Sequence, residues 1–256
     1  IDFSDSYFSC NTLIAIREEN SVGYVGGVND VASTGFFEGI KTGIQRNMIE
    51  EDRYLMILEG LKISAIISLL SGLFGTLLGA LVCWMRMSSY AVIRRVAGLY
   101  ISLMRGMPVL VLLMMMFYVV FAGTSVDAVM VSVITFGMNF AAYVSEMFRS
   151  SIESVDRGQT EAGVALGFSP VKTFYYIVMP QAFKQVLPVY KGELISLVKM
   201  TSIVGYIAVQ DLTKVGDIIR SRTFDAFFPL VMVAVLYFIL SWIFAEILNF
   251  IGKKVS

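Results

Sequence analysis

Five apolar stretches, each near the length of a membrane-crossing helix, alternate along the chain with shorter polar segments. A helix needs roughly 20 predominantly apolar residues to cross the hydrocarbon core of a bilayer. Residues 61–85, 107–122, 126–147, 186–209 and 226–251 meet that pattern and predict five transmembrane helices in an all-α protein. The first carries only Lys62, near its outer end. The fourth is different, because Lys191, Glu193 and Lys199 interrupt an otherwise apolar run. Ser71, Gly75 and Gly79 recur every fourth residue in the first stretch. That small-residue repeat lets two helix backbones approach closely. The methionines from Met104 to Met116 read as adaptable packing.

Composition supports the membrane reading. Of 256 residues, 57% are hydrophobic and 16% charged, far from a soluble domain or a disordered chain. Twenty basic and twenty acidic residues cancel, which leaves no net-charge footprint for nucleic acid. The absence of histidine excludes His-ligated metal sites and Ser-His-Asp chemistry. Cys10 and Cys83 cannot build a disulfide framework or a thiolate metal site. Orientation follows from where the basic residues stand. Arg86, Arg94, Arg95, Arg105, Arg149, Arg157, Lys172, Lys184, Lys253 and Lys254 fall on one side of the predicted spans. Arg46, Arg53, Lys214, Arg220 and Arg222 fall on the other. Ten against five places the N-terminus outside and the C-terminus in the cytoplasm.

Residues 1–60 precede the first span and are too few to bury a substantial core of their own. They neither begin with Met nor contain a signal-peptide apolar region, so the chain is expected to be a fragment or a processed product. Gly23, Gly26 and Gly27 mark a linker. Phe36, Phe37, Ile40, Ile44 and Met48 then recur at helical spacing, so 36–60 is expected to form an amphipathic helix on the outer membrane surface. A plain connector is the alternative.

The segment between the third and fourth spans is long for an ordinary connection. An apolar-periodic run through Ala162, Ala165 and Leu166 stops at Gly167, which suits the left-handed residue after a helix end. Ser169 stands as N-cap and Pro170 as first helical residue of a second helix through Phe174, Tyr175 and Ile177, predicted to end by Met179 ahead of Pro180. Apolar and aromatic residues on the cytoplasmic face mark either a docking surface or a helix folded back on the membrane.

Glu161-Ala162-Gly163, then Gly167 after three residues, then Ile177-Val178-Met179-Pro180 after nine more, resembles the Glu-Ala-Ala loop of bacterial ABC importer permeases. Gly163 replaces the second Ala and Met179 a Leu; the glycine weakens a helix by up to about 1 kcal/mol relative to alanine. Arg105-Gly106-Met107-Pro108-Val109-Leu110-Val111 resembles the Arg-Gly-Thr-Pro-Leu-Leu-Val segment of the polar amino acid uptake permeases. Ala141-Ala142-Tyr143-Val144-Ser145-Glu146 through Arg149 is similar to their Gly-Ala-Tyr-x-Ala-Glu-x-x-Arg. Gly158-Gln159 before Thr160 and Glu161 also matches, and Lys199-Met200-Thr201-Ser202-Ile203 resembles Lys-Asp-Thr-Ser-Leu. The resemblance covers about residues 55–256. At the N-terminus, Phe3-Ser4-Asp5-Ser6-Tyr7-Phe8 is similar to the Phe-Ser-x-Pro-Tyr strand of amino-acid-binding proteins, with Ser6 in the proline position.

The resemblance implies a five-span permease in the bacterial inner membrane, working with a second permease copy or homologue, two ABC ATPase subunits and an extracytoplasmic amino-acid-binding protein or domain. It implies that 1–35 are the remnant or tail of such a domain plus linker, and that 61–256 form the permease domain with a coupling loop at about 156–185. Glu161, Ala162, Gly163, Gly167, Ser169, Pro170, Phe174, Ile177 and Pro180 would carry the ATPase coupling. No Gly-x4-Gly-Lys-Ser/Thr phosphate loop is present; Gly39-Ile40-Lys41-Thr42 lacks the second glycine before the lysine. ATP and magnesium are therefore expected on the partner ATPase, with no cofactor in this chain. The chain is a transport subunit rather than an enzyme in this reading. Ser196 and Lys199 match a Ser-x-x-Lys nucleophile motif by chance, since the rest of that set is missing.

Charges at membrane depth line a pathway or pair with one another. Glu193, Ser196 and Lys199 spread over one face of the fourth helix, while Glu146 and Arg105 stand at ends of the third and second. A zwitterionic amino acid needs partners of both signs plus hydroxyls, which Thr201 and Ser202 would supply; Asn139 and Tyr143 are further pore-lining candidates. The structural alternative pairs Glu193 with Lys199 and Glu146 with Arg149. A secondary transporter or channel is the rival function, but five spans do not divide into inverted halves. A plain membrane anchor would leave the cytoplasmic loop unexplained.

Overall fold

The computed structural model describes residues 41–255, every regular element of which is helical. The expected binding-domain segment and the residues Phe36, Phe37 and Ile40 lie outside the described residues. The helices are α1 (Arg53–Arg86), α2 (Ala91–Gly106), α3 (Val109–Met115), α4 (Ala128–Glu153) and α5 (Arg157–Ala165), followed by α6 (Pro170–Thr173), α7 (Met179–Met200), α8 (Leu212–Thr223) and α9 (Phe227–Val255). Among the described residues, three helices are long and apolar enough to cross a membrane: one that ends as α1, α4, and α9. Two further crossings arise if each bent pair counts as one span, α2 with α3 at 106° and the α6–α7 run with α8 at 55°. The first bend falls at Met107–Pro108, where proline cannot donate a backbone hydrogen bond and holds its predecessor extended.

The parallel contact of α1 and α4, in which Ser71 meets Val133, Gly75 meets Gly137 and Gly79 meets Val144, is the core of the molecule. Ser71, Gly75 and Gly79 face α4, as the repeat predicts. A Cβ on Gly75 would stand 2.7 Å from the Gly137 carbonyl oxygen and 2.9 Å from Phe140 Cδ1, so only glycine permits this approach. Ser71 donates across the interface to the Val133 carbonyl at 3.2 Å. Ile67, Phe136, Phe140, Val144, Leu194 and Leu197 fill the space between α1, α4 and α7. Hydroxyls buried here return to their own helices, Ser68 to Ser64 O and Thr135 to Val131 O, both at 2.7 Å. Apolar surroundings offer them no water, so the backbone is the partner available.

Three sequence expectations change. Pro180 does not end the second loop helix. Phe174–Val178 forms a π turn, in which Met179 N donates to Phe174 O, and the chain continues without interruption into α7. The wider turn accommodates a residue that lacks an N–H. The fourth apolar stretch is also not one helix: α7 starts earlier, at Met179, and gives way to a 3-10 segment at Thr201–Ile207.

Residues 41–52 are not a continuous amphipathic helix. They pass through a π turn at Gln45–Ile49 and a tight turn at Glu50–Asp52, in which Glu51 and Asp52 have φ of 56° and 52°. Asn47 is fully buried and donates to Asp225 Oδ2 and to Gly43 O, both at 2.9 Å. Arg46 donates to the Thr223 carbonyl, and Glu51 pairs with Arg222 at 3.6 Å. The lead-in to α1 is thus clasped to the α8–α9 corner. The break between α7 and α8 has its own clamp. Asp211, buried, caps α8 through Thr213 N and Lys214 N at 3.0 Å and accepts from Tyr237 of α9 at 2.9 Å.

Candidate functional site

Two places bring chemistry-bearing residues together. The first is the corner between α5 and α6. Asp156 caps α5 by accepting from Gly158 N at 2.7 Å. The helix ends at Gly167, whose φ of 83° is the left-handed conformation that glycine adopts without a Cβ clash. Ser169 then accepts from Lys172 N at 3.4 Å, and Pro170 opens α6. These are the corner residues named from the sequence.

The two helices meet where Gly163 lies against Thr173. A Cβ on Gly163 would be 2.7 Å from Thr173 Cγ2 and 2.8 Å from Ile177 Cδ1. The departure from Ala at this position therefore has a packing cause. Thr173 is fully buried, and its hydroxyl has no hydrogen-bond partner among the described residues. Phe174 turns inward onto Val155, Val178 and Ala182, while Ile177 covers Gly163. Glu161 and Ala162 are exposed on α5, and Pro180 is exposed at the start of α7.

The outward face is made by other residues. Val171, Tyr175 and Tyr176 are 65%, 60% and 72% exposed, with Leu166 beside them at the corner. The motif match did not include Tyr176; the signal was its place beside Tyr175, one helical turn beyond the exposed Lys172 and on the side away from the buried Val178. A cavity of about 590 Å³ lies behind the corner, lined by Ile152, Glu153, Val155, Arg157, Thr160 and Phe174 among others.

The second place is a cavity of about 390 Å³ between α2, α4 and α7. Arg105, Tyr143, Glu146 and Glu193 all line it, together with Arg149 and Ser150. Arg105 lies over the Tyr143 ring, 4.9 Å from its centroid. Glu146 is held by Arg149 at 2.7 Å and by Arg86 at 3.6 Å, and Arg149 also reaches Glu153 at 2.5 Å.

The other pathway candidates stand elsewhere. Asn139 is buried behind the cavity wall and donates to Met104 O at 2.7 Å, at the end of α2. Its Oδ1 has no partner among the described residues. Ser196 bonds Gly192 O of its own helix at 3.1 Å, and Lys199 is exposed one turn further along. Thr201 is fully buried and donates to Val198 O at 2.8 Å, while Ser202 is half-buried in the 3-10 segment. Glu146 and Arg149 are paired, whereas Glu193 and Lys199 form no ion pair within 4 Å among the described residues. No cluster of metal-ligating side chains occurs among the described residues.

Comparison with known proteins places this architecture. The probable amino-acid ABC transporter permease protein YckA of Bacillus subtilis (strain 168) is 36% identical over 199 residues, 77% of this chain and 88% of that protein. The putative glutamine transport system permease protein GlnP of Rickettsia bellii (strain RML369-C) is 33% identical over 204 residues, 79% and 94% of the two chains. Among solved structures, a crystal structure of an amino acid ABC transporter with histidines matches with a TM-score of 0.72 and 31% identity, over 86% of this chain and 99% of that one. Residues 71–256, from the small-residue face of α1 through the corner to the end of α9, match a single transport family. The chain belongs to the binding-protein-dependent transport system inner membrane component family.

Proposed function

We propose that the chain is the permease subunit of an ATP-driven importer of polar amino acids and that the corner at 156–185 receives a separate ABC ATPase. One observation carries the coupling. Val171, Tyr175 and Tyr176 form an exposed face on a short helix whose other side, Thr173 and Val178, is locked into the protein. A rigid helix with aromatic anchors suits insertion into a groove of a partner. The same helix runs through the π turn into α7 and on to Glu193, 17 residues beyond Tyr176 and about 26 Å away at 1.5 Å per residue. Movement of the ATPase at one end would thus be delivered to the cavity at the other. Glu161 and Gly167 shape the corner, and the remaining motif residues hold α5 against α6.

In this reading five spans cross the bacterial cytoplasmic membrane, with the α2–α3 and α7–α8 bent pairs each making one crossing. The ten-to-five distribution of basic residues supports an outside N-terminus and a cytoplasmic C-terminus. A second permease copy or homologue completes the pathway. An extracytoplasmic amino-acid-binding protein or domain delivers substrate, and ATP with magnesium is bound by the ATPase. Arg105, Tyr143, Glu146 and Glu193 line the route, with Asn139, Ser196, Lys199, Thr201 and Ser202 as supporting positions.

The test is association and uptake. Replacing Tyr175 and Tyr176 together by serine should weaken co-purification with the ATPase at least tenfold and abolish ATP-dependent uptake, with the permease still inserted and folded. Normal association of that variant, or of one with Glu161→Gln and Gly167→Ala, would overturn the coupling assignment.

A further inference from the structure

The cavity between α2, α4 and α7 has a charge arrangement that the importer reading does not itself specify. Four of the six ionic groups in and around it neutralise one another. Glu146 takes Arg149 at 2.7 Å and Arg86 at 3.6 Å, and Arg149 takes Glu153 at 2.5 Å. Two guanidiniums and two carboxylates balance in this chain. Two groups on the cavity wall, Arg105 and Glu193, form no ion pair within 4 Å among the described residues, although the charge of Arg105 acts at longer range on both Glu193 and Glu146. They have opposite sign, and they come from different helices, α2 and α7.

The way Arg105 is held bears on what it would bind. Its guanidinium carbon lies over the Tyr143 ring at 4.9 Å from the centroid, a contact with the π face that uses none of its N–H donors. Those donors match a carboxylate in bidentate fashion. Asn139, one turn before Tyr143 on α4, secures the neighbouring Met104 carbonyl at 2.7 Å and so fixes the end of α2. Glu193 is an acceptor for an ammonium, and Ser150 adds a hydroxyl to the lining. A cavity of about 390 Å³ lies at the small end of the range for small-molecule sites.

We infer that this cavity accepts amino acids whose side chain carries no net charge, with the α-carboxylate on Arg105 and the α-ammonium on Glu193. This assignment rests on the importer reading and deepens it. One free cation and one free anion are both used by the zwitterionic backbone of the substrate. A cationic side chain would need a second unpaired carboxylate and an anionic one a second unpaired cation, and the lining supplies neither. An additional charge brought into this partly dehydrated space would stand without a partner.

The experiment measures equilibrium binding of labelled glutamine, arginine and glutamate to the full chain in complex with its ATPase in lipid nanodiscs. The comparison is among wild type, Glu193→Gln and Arg105→Gln. Wild type should prefer glutamine. Glu193→Gln leaves the lining with an excess positive charge, so glutamine binding should fall at least tenfold and the order should shift toward glutamate. Arg105→Gln leaves excess negative charge and should shift the order toward arginine. Opposite shifts in preference cannot come from misfolding, which lowers all three together. A wild-type preference for arginine or glutamate, or equal loss of all three ligands in both variants, would overturn the inference. If instead the wild-type assembly takes up no amino acid in an ATP-dependent manner, the importer reading itself fails.

Discussion

Replacing Gly163 by alanine sets two effects of similar size against each other. Alanine in place of glycine inside a helix is favourable by about 1 kcal/mol, chiefly because the unfolded chain loses less freedom. Taken alone, that would strengthen α5. Against it stands the packing of α5 on α6. The new Cβ would meet Thr173 Cγ2 at 2.7 Å, Ile177 Cδ1 at 2.8 Å and Thr173 Oγ1 at 3.0 Å. The isoleucine tip can rotate away. Thr173 cannot do so cheaply, because it is fully buried and β-branched, hence stiff at χ1. Overpacking of this kind costs about 1–3 kcal/mol. A net loss of about 1 kcal/mol follows from the middle of that range, which amounts to roughly a fivefold change in the local opening equilibrium. Amide hydrogen exchange over residues 157–178 in nanodiscs measures that opening directly. Gly163→Ala should exchange about fivefold faster than wild type in that segment. Adding Thr173→Ser removes the Cγ2 atom and should recover most of the loss, so the two substitutions are non-additive. Slower exchange in Gly163→Ala, or no recovery in the double variant, would refute the packing argument and leave helix propensity as the governing term.

Three further outcomes follow from the structure. Gly75→Ala pushes a methyl into the Gly137 carbonyl and Phe140, neither of which can yield without moving α4, and should cost about 1–3 kcal/mol in thermal unfolding; Gly106→Ala, which meets nothing within 4 Å, is its matched control. Asn47→Ala removes the donor to Asp225 and should cost about 1–3 kcal/mol, read as faster hydrogen exchange in 41–53 and 223–228 with the α1–α4 core unchanged. Tyr237→Phe removes the Tyr237 hydroxyl that donates to buried Asp211 at 2.9 Å and should lower the unfolding temperature, whereas Tyr206→Phe, on an exposed side chain, should not.

Periodic and local features were legible in the chain because they depend on near neighbours. The helical character of the apolar stretches, the small-residue face of α1 and the Gly167–Ser169–Pro170 corner all rest on spacings of a few residues. Proline at 180 was locally ambiguous: it usually ends a helix, and here the π turn at Phe174–Val178 lets the helix pass through it. The loop anchors were ambiguous in the same way. Phe174 and Tyr176 are both aromatic and two residues apart, and packing on Val155 and Ala182 decides which one turns inward.

The sequence by itself determined the class of this protein, because lipid solvation demands long apolar helices and leaves that demand written in composition and period. It also determined the family, through motifs whose spacing survives in the chain. Only the tertiary structure decided which charges are spent and which are free. Arg86 and Glu146 are 60 positions apart in the sequence and 3.6 Å apart in space, while Glu193 and Lys199 are near in sequence and form no pair. Ion pairing depends on distances set by how α1, α2, α4 and α7 pack, and no local pattern encodes those distances.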